Sequence, residues 1–164
     1  MKRLPRRAHP YRDTDVIDER APRVNQAVVG IVSLVAVAGG WWWLFAALAL
    51  QLALGLTLGR RFCLACVAYF ELVQPRFGEG RLEDARPPRF ANLVGLVVLA
   101  AAASAGAAGV AALATALGLL VAGLALLAAA TGFCAGCTAY RLGFRLTGRP
   151  FVACPLPPAV VADR

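Results

Sequence analysis

Residues 90–140 read FANLVGLVVLAAAASAGAAGVAALATALGLLVAGLALLAAATGFCAGCTAY, a stretch of 51 residues without a charged side chain. A helix needs roughly 20 apolar residues to cross about 30 Å of hydrocarbon, so this stretch can hold two membrane spans with a turn near residues 111–116. A second charge-free stretch, residues 24–59, has 36 residues and predicts two shorter spans that meet at Gly39-Gly40. The sequence therefore predicts an all-α, polytopic membrane protein with four transmembrane helices. A re-entrant first hairpin is the alternative.

Composition also favours a membrane protein. Sixty per cent of the residues are apolar and the mean hydropathy is +0.67, which lies above the usual range for soluble domains. Three consecutive tryptophans, Trp41 to Trp43, follow the first predicted turn. Indole rings are enriched at membrane–water interfaces, because their N–H group can contact water while the ring stays in apolar surroundings. We therefore expect this turn at one surface of the bilayer.

The basic residues fall on one side of the predicted spans. Of the 17 lysines and arginines, seven precede the first span, six lie between the second and third, and four follow the last. By the positive-inside rule, both termini and the central loop are expected on the cytoplasmic side of a bacterial inner membrane. The net charge of +8 then reflects topology and attraction to anionic headgroups. The lipid bilayer is an expected partner and nucleic acid is not, since no basic stripe with interleaved aromatic residues occurs.

Each apolar stretch leads into the same motif, F-C-x-x-C-x-A-Y, at residues 62–69 and again at residues 133–140. An R-x-P-R pattern precedes each apolar stretch, at residues 20–23 and 86–89. Such a repeat in a membrane protein usually marks two copies of one helical unit related by a pseudo-twofold axis. We therefore predict two tandem two-helix repeats, with both motifs on the cytoplasmic side.

These landmarks define the predicted domain organisation. The four-helix transmembrane domain is expected to cover residues 20–146, with repeat one at residues 20–75 and repeat two at residues 86–146. Residues 1–19 are charged and contain proline, so they are expected to form a solvated cytoplasmic tail. Residues 147–164 are expected to form a second cytoplasmic tail.

The sequence around the motifs predicts where the helices end. Gly59 and Gly132 come shortly before the two cysteine pairs, and glycine commonly closes a helix. The first cysteine of each pair then lies in the first turn of a new helix, where exposed N–H groups and the helix dipole stabilise a thiolate. Residues 63–74 are expected to form a short interfacial helix ended by Pro75. The alternative is one unbroken helix through each motif.

The candidate site consists of Cys63, Cys66, Cys134 and Cys137. One hypothesis is thiol–disulfide or sulfur-transfer chemistry, in which Cys63 and Cys134 are the more exposed, attacking thiols. Cys66 and Cys137 then act as the resolving thiols. A second hypothesis is a four-cysteine zinc or iron–sulfur site that joins the two halves. A third is buried structural cysteine, and permanent disulfides are disfavoured in a reducing cytoplasm.

Arginines flank both motifs: Arg60, Arg61 and Arg141 adjoin the cysteine pairs, and Arg23 and Arg89 begin the two hairpins at the same membrane level. Their cations can favour thiolates or balance a metal–thiolate centre, or they can contact lipid phosphate. The sequence contains no Ser/His/Asp set and no phosphate loop. It does not decide whether the protein is an enzyme or which cofactor it would use. We expect a cytoplasmic thiol or sulfur-transfer protein as a partner.

Other polar residues are expected to be structural or solvated. Gln51, near the middle of the second span, is expected to point inward and to make a hydrogen bond between helices. His9 is expected to be a surface residue, and Cys154, outside the repeat, is expected to have no role in the site. Four carboxylates of the central loop are expected to be solvated: Glu71, Glu79, Glu83 and Asp84.

Three segments, residues 16–26, 59–66 and 89–92, resemble a bacterial family of small four-helix integral membrane proteins. The family is a "domain of unknown function" family with two F-C-x-x-C motifs, and the similarity spans about residues 15–146. The resemblance implies an integral membrane protein and does not imply a particular activity. As with similar proteins, it implies partners in thiol or sulfur metabolism.

Overall fold

The computed structural model describes residues 8–148, and this part of the chain is mostly helical. Three helices, α1, α5 and α6, are long and apolar enough to cross a membrane, whereas α2 is apolar but has only 16 residues. In chain order, the elements are β1 (Val16–Asp18), α1 (Arg20–Gly39), α2 (Trp42–Thr57), a 3-10 turn (Arg60–Phe62), α3 (Leu64–Ala68), a π-helical turn (Tyr69–Val73), α4 (Gln74–Phe77), β2 (Leu82–Asp84), α5 (Arg86–Ala107), α6 (Ala111–Thr131) and α7 (Ala135–Leu146).

The four longest helices pack around one aliphatic core. The most extensive contacts pair α1 with α6 and α2 with α5. Phe45, Leu48 and Leu52 form the buried side of α2, and Leu99 of α5 is fully enclosed among them. Large aliphatic side chains on the outer faces of the same helices are exposed, as expected for helices that face lipid.

The three tryptophans lie at the end of the bundle away from the cysteines. Trp41, Trp42 and Trp43 are 44–55 % exposed and follow the turn between α1 and α2. This placement agrees with the interfacial role that the sequence predicts for them.

Two short strands join the beginnings of the two apolar hairpins. β1 pairs with β2 in an antiparallel ladder, with Ile17 opposite Glu83. Helix α1 begins directly after β1 and α5 directly after β2, so both helices start at the same end of the molecule. The structure departs from the predicted solvated tail at Ala8, Pro10 and β1, which are buried, whereas residues 12–15 are exposed. His9 is exposed, as predicted.

The helical segment after the first motif is longer than predicted. It was expected to end at Pro75, but it passes through the π-helical turn and continues to Phe77. Pro75 directly follows the π-helical turn, at the first or second position of α4, so its missing N–H falls where the hydrogen-bonding pattern of the helix changes.

Candidate functional site

The first cysteine pair lies at the start of a new helix. Gly59, with φ of 93°, turns the chain away from α2, and the 3-10 turn leads to Cys63. Cys63 is the N-cap of α3, and its Sγ accepts a hydrogen bond from the Cys66 backbone N–H over 3.3 Å. Cys63 and Cys66 form a disulfide, with their Cα atoms 5.2 Å apart.

The second pair has the same local geometry. Gly132, with φ of 77°, closes α6 in the left-handed conformation, and Cys134 is the N-cap of α7. Cys134 Sγ accepts from the Cys137 N–H over 3.2 Å, and the two residues form a disulfide with a Cα separation of 5.2 Å. The helices therefore end before both motifs as predicted, and the alternative of unbroken helices is wrong.

The two pairs differ in access. Cys63 and Cys66 are 6 % and 8 % exposed, because β1, the start of α1 and the side chains of Tyr69 and Phe70 cover them. Cys134 and Cys137 are half-buried. The prediction that Cys63 is more exposed than its partner is thus wrong, since the segment expected to be a solvated tail packs around it.

Each pair borders a cavity that is also lined by the arginine at the start of a helix in the other half of the sequence. Cys63 and Cys66 border a cavity of about 50 Å³ together with Arg89, which lies at the start of α5. Cys134 and Cys137 border a polar cavity of about 280 Å³ together with Arg23, which lies at the start of α1. At the candidate site, the arginine that begins each hairpin therefore lines the same cavity as the cysteine pair that follows the other hairpin.

Contacts with glycine show how closely Arg23 approaches the second motif. A Cβ atom on Gly132 would lie 2.8 Å from Arg23 Nη2, so the guanidinium packs directly against the backbone before Cys134. Arg23 also forms an ion pair with Glu19 over 3.7 Å. Arg141 lines the same cavity from α7.

Arg60 adds a second cation beside the first pair. Its guanidinium donates hydrogen bonds to three backbone carbonyls of the N-terminal segment, those of Pro10, Asp13 and Thr14. Burial, followed by the charge of Arg89, lowers the pKa of Arg60 to about 10. The positive charge of Arg89 therefore reaches the surroundings of the first cysteine pair.

Most of the chain matches a known protein family. A family model described as a domain of unknown function, DUF4395, matches residues 17–145. The chain belongs to the DUF4395 family. This match confirms the resemblance inferred from the sequence, and the matched region includes both cysteine motifs, β2 and all of β1 except Val16. No curated protein and no solved structure matches the chain.

The DUF4395 domain contains a buried carboxylate that the sequence reasoning missed. Asp18 is 2 % exposed, and its Oδ2 accepts hydrogen bonds from Tyr69 Oη at 2.7 Å, Gln74 Nε2 at 3.1 Å and the Gly80 N–H at 2.9 Å. Burial, together with the hydrogen bond to Asp18, raises the pKa of Tyr69 well above its usual value. This network fixes the segment that follows the first motif onto β1.

Asp84 holds the corresponding position before α5. Its carboxylate accepts from the backbone N–H of Arg86 over 2.8 Å and pairs with the Arg86 guanidinium over 2.6 Å. Asp18 Oδ1 likewise accepts from the backbone N–H of Arg20 over 3.0 Å. The expectation that Asp84 is solvated is wrong. A D-x-R-x-P-R pattern at residues 18–23 and 84–89 carried the signal.

Three amides border the cavity beside the first cysteine pair. Asn25 Nδ2 donates to Asn92 Oδ1 over 3.4 Å, and Asn25 Oδ1 lies 3.6 Å from Cys63 Sγ. Gln51 borders the same small cavity as Cys63, but its Nε2 is buried without a hydrogen-bond partner among residues 8–148. The predicted hydrogen bond between helices is therefore not made by this donor.

The donor set of the DUF4395 domain gives no support to a shared metal centre. Within residues 8–148, no three side chains of His, Cys, Asp or Glu converge in a way that could hold a metal ion. A four-cysteine zinc site needs all its sulfurs at about 2.3 Å from one point. The two pairs instead border different cavities of this part of the chain. Cys154 lies outside the described residues.

Proposed function

We propose that this DUF4395 domain is a four-span protein of the bacterial inner membrane that carries out dithiol–disulfide exchange. The pairing of β1 with β2 supports the four spans, because α1 and α5 both start beside it. If α1 crosses the bilayer, the chain must cross back before it reaches β2. The helical segment between α2 and β2, residues 64–77, is held against β1 by the hydrogen bonds of Tyr69 and Gln74 to Asp18, so the return crossing falls to α2.

The length of α2 is compatible with this assignment. Sixteen residues extend over about 24 Å at about 1.5 Å per residue, and Leu58 to Phe62 lengthen the segment toward the cysteines. The packing of α2 against α5, a helix long enough to span, supports the same depth for both.

The strand register supports two tandem repeats related by a pseudo-twofold axis. Ile17 pairs with Glu83, which is the residue 66 positions later, and the two R-x-P-R patterns have the same offset. The flanking pairs, Val16 with Asp84 and Asp18 with Leu82, exchange under that operation. The α1–α6 and α2–α5 packings exchange as well, as do the two crossed arginine–cysteine arrangements.

The distribution of basic residues supports a cytoplasmic location for both cysteine pairs. Arg60, Arg89 and Arg141 are at the end of the bundle that carries the motifs, and the two turns at the opposite end carry no charge. The positive-inside rule then assigns the motif-bearing end, both termini and the central loop to the cytoplasm.

The observation that carries the functional proposal is the N-cap geometry shared by both pairs. In each pair, the first cysteine lies at a helix N-terminus, and its Sγ accepts a hydrogen bond from the backbone N–H of the second cysteine. The two cysteines of each pair are within disulfide distance of each other. Helix N-termini and nearby arginines both favour thiolates, which are the nucleophiles of disulfide exchange. Because the pairs are separate, each works as its own dithiol.

Exchange at the second pair follows directly from its better access. The Cys134 thiolate attacks a disulfide of a cytoplasmic thiol or sulfur-transfer protein, and one sulfur of that partner leaves as a thiolate. The Cys137 thiolate then attacks Cys134 Sγ. The mixed disulfide breaks, the intramolecular disulfide forms, and the partner leaves with both of its sulfurs reduced.

The test uses full-length protein in detergent with Cys154→Ser, so that only motif thiols react. Reduced protein is mixed with oxidised glutathione and analysed by mass spectrometry of its peptides. We expect disulfides within each motif, and a Cys137→Ser variant should accumulate glutathione on Cys134. Protein whose motif cysteines stay reduced over a range of glutathione potentials would contradict the proposal.

A further inference from the structure

An apolar cavity of about 190 Å³ lies among α1, α2, α5 and α6. Its walls are aliphatic and include Leu52, Val98 and Leu124. Cys134 also borders this cavity, together with Ala135 and Gly136 in the first turn of α7. Cys134 is therefore adjacent to two cavities of opposite character, the polar one that Arg23 lines and this apolar one, which opens to the outer face of the helix bundle at Leu120 and Leu124.

The apolar cavity has hydrogen-bonding groups near Cys134. Asn25, Gln26 and Asn92 line it, and Asn92 Oδ1 already accepts from Asn25. Among residues 8–148, neither Asn92 Nδ2 nor the Gln26 amide makes a hydrogen bond, so these N–H donors remain for a ligand. The first turn of α7 adds backbone N–H groups that have no acceptor within the helix.

We propose that this cavity binds a quinone-class molecule, a flat ring with two carbonyl oxygens and an apolar tail, which oxidises the Cys134–Cys137 dithiol. The aliphatic walls suit the ring and its tail, and the amide N–H groups suit the carbonyl oxygens. A charged or strongly polar oxidant fits the polar cavity instead. The inference rests on the proposed dithiol chemistry and names the electron acceptor for it.

The reaction balances without a further reactant. The Cys134 thiolate adds to a ring carbon, and the Cys137 thiolate then attacks Cys134 Sγ. The S–S bond forms as the C–S bond breaks, and the electron pair of that bond stays on the ring. The ring takes up two protons, equal to the two lost by the thiols, and leaves as the quinol.

Two glycines provide a matched pair of variants. Gly95 lines the cavity, and a Cβ there would meet only Leu52 Cδ1, at 3.5 Å. Gly123 is exposed, with no atom within 4 Å of a Cβ. Gly95→Leu should fill the cavity and remove most of the quinone reduction, whereas Gly123→Leu should retain it. If Gly95→Leu does not fold, Leu124→Trp serves instead, with the lipid-facing Leu119→Trp as its control.

The experiment mixes reduced, reductant-free protein carrying Cys154→Ser with a short-chain quinone, in detergent and in phospholipid vesicles. Quinol absorbance and peptide mass spectrometry follow the reaction, and we expect one quinol for each Cys134–Cys137 disulfide. Exchange with oxidised glutathione but not with quinone would overturn this inference and leave the proposed function standing. Failure of both reactions would overturn both. Equal rates in the two glycine variants, or a cavity that holds only phospholipid chains, would overturn the quinone site.

Discussion

The buried hydrogen bond between Tyr69 and Asp18 is the residue-level feature that ties the first motif to the N-terminal segment. Tyr69 belongs to the F-C-x-x-C-x-A-Y motif, and its hydroxyl donates to a carboxylate that is almost fully enclosed. Asp18 retains donors from Gln74 and Gly80 when Tyr69 is changed. The effect of such a change is therefore the loss of one charge-assisted hydrogen bond.

Tyr69→Phe should lower the free energy of unfolding in detergent by about 1.5–3 kcal/mol, the usual range for a hydrogen bond to a charged group. Tyr11→Phe is the control, because it removes an exposed hydrogen bond to Glu71 and should cost less. Thermal unfolding followed by circular dichroism measures both variants. Equal destabilisation by the two changes would contradict the importance of this network.

The same hydrogen bond predicts a pH dependence. The pKa of Tyr69 is raised in the folded protein, so its contribution is fully present below the unfolded tyrosine value of about 10 and is lost as the pH rises through the folded value. The stability difference between wild type and Tyr69→Phe should be constant from neutral pH to about pH 9 and should shrink in more alkaline solution. A difference that grows with pH would contradict this account.

Two carboxylates show what residue-level reasoning from the sequence missed. Local composition places Asp18 in a tail and Asp84 in a solvated loop, because each has charged residues near it in the sequence. Their burial depends on the pairing of two strands of three residues each, which is a long-range contact that local composition does not encode. The repeated D-x-R-x-P-R spacing was the available signal.

At the level of elements, the crossed arrangement of arginines and cysteines makes a specific prediction. Arg89→Gln should slow alkylation of Cys63 and Cys66 in the reduced protein by about two- to tenfold, because loss of a nearby cation lowers the thiolate fraction. Arg23→Gln should slow alkylation of Cys134 and Cys137 instead. Peptide-resolved alkylation rates near neutral pH measure both effects.

Each arginine variant is the control for the other. Slowing of both cysteine pairs by a single variant would indicate a general change in structure. Slower alkylation of the cysteine pair that follows the substituted arginine's own hairpin would contradict the crossed arrangement of arginines and cysteines. Arg145→Gln, on the exposed part of α7, should leave both rates unchanged.

The assignment of α2 as a membrane span predicts which turns lie on the side of the inner membrane away from the cytoplasm. Trp41→Cys and Ala108→Cys, at the two uncharged turns, should react with a membrane-impermeant maleimide on intact cells. Phe77→Cys, in an exposed position after the first motif, should react only after permeabilisation. Labelling of Phe77→Cys in intact cells would reverse the orientation, and protection of Trp41→Cys would favour the re-entrant alternative.

Helix boundaries were predictable to different degrees for physical reasons. The long charge-free stretches and the closing glycines locate α1, α5, α6 and the breaks before both motifs, since hydropathy and left-handed conformation are local properties. Continuation past Pro75 was not predictable by the same rules. It depends on a π-helical turn that places the proline in the first turn of α4.

For the whole molecule, the proposed pseudo-twofold arrangement is compatible with two cysteine sites that differ in access. The proposed operation would relate the two strands, the two helix pairs and the two cavities in which an arginine and a cysteine pair occur together. The N-terminal segment breaks the symmetry, because it covers Cys63 and Cys66 and binds Arg60. Cys134 of the second pair borders both the polar and the apolar cavity. The difference in access could not be predicted from two nearly identical motifs.

The central claim is that the two motifs are independent, reversible dithiols, and a redox titration tests it most directly. Freshly purified protein carrying Cys154→Ser is equilibrated over a series of glutathione redox buffers, alkylated, digested and analysed by mass spectrometry, with metal content measured on the same sample. The account predicts reversible disulfides within Cys63–Cys66 and within Cys134–Cys137, without stoichiometric metal. Stoichiometric zinc or iron that is lost on Cys63→Ser or Cys134→Ser, with thiols that do not oxidise, would contradict it.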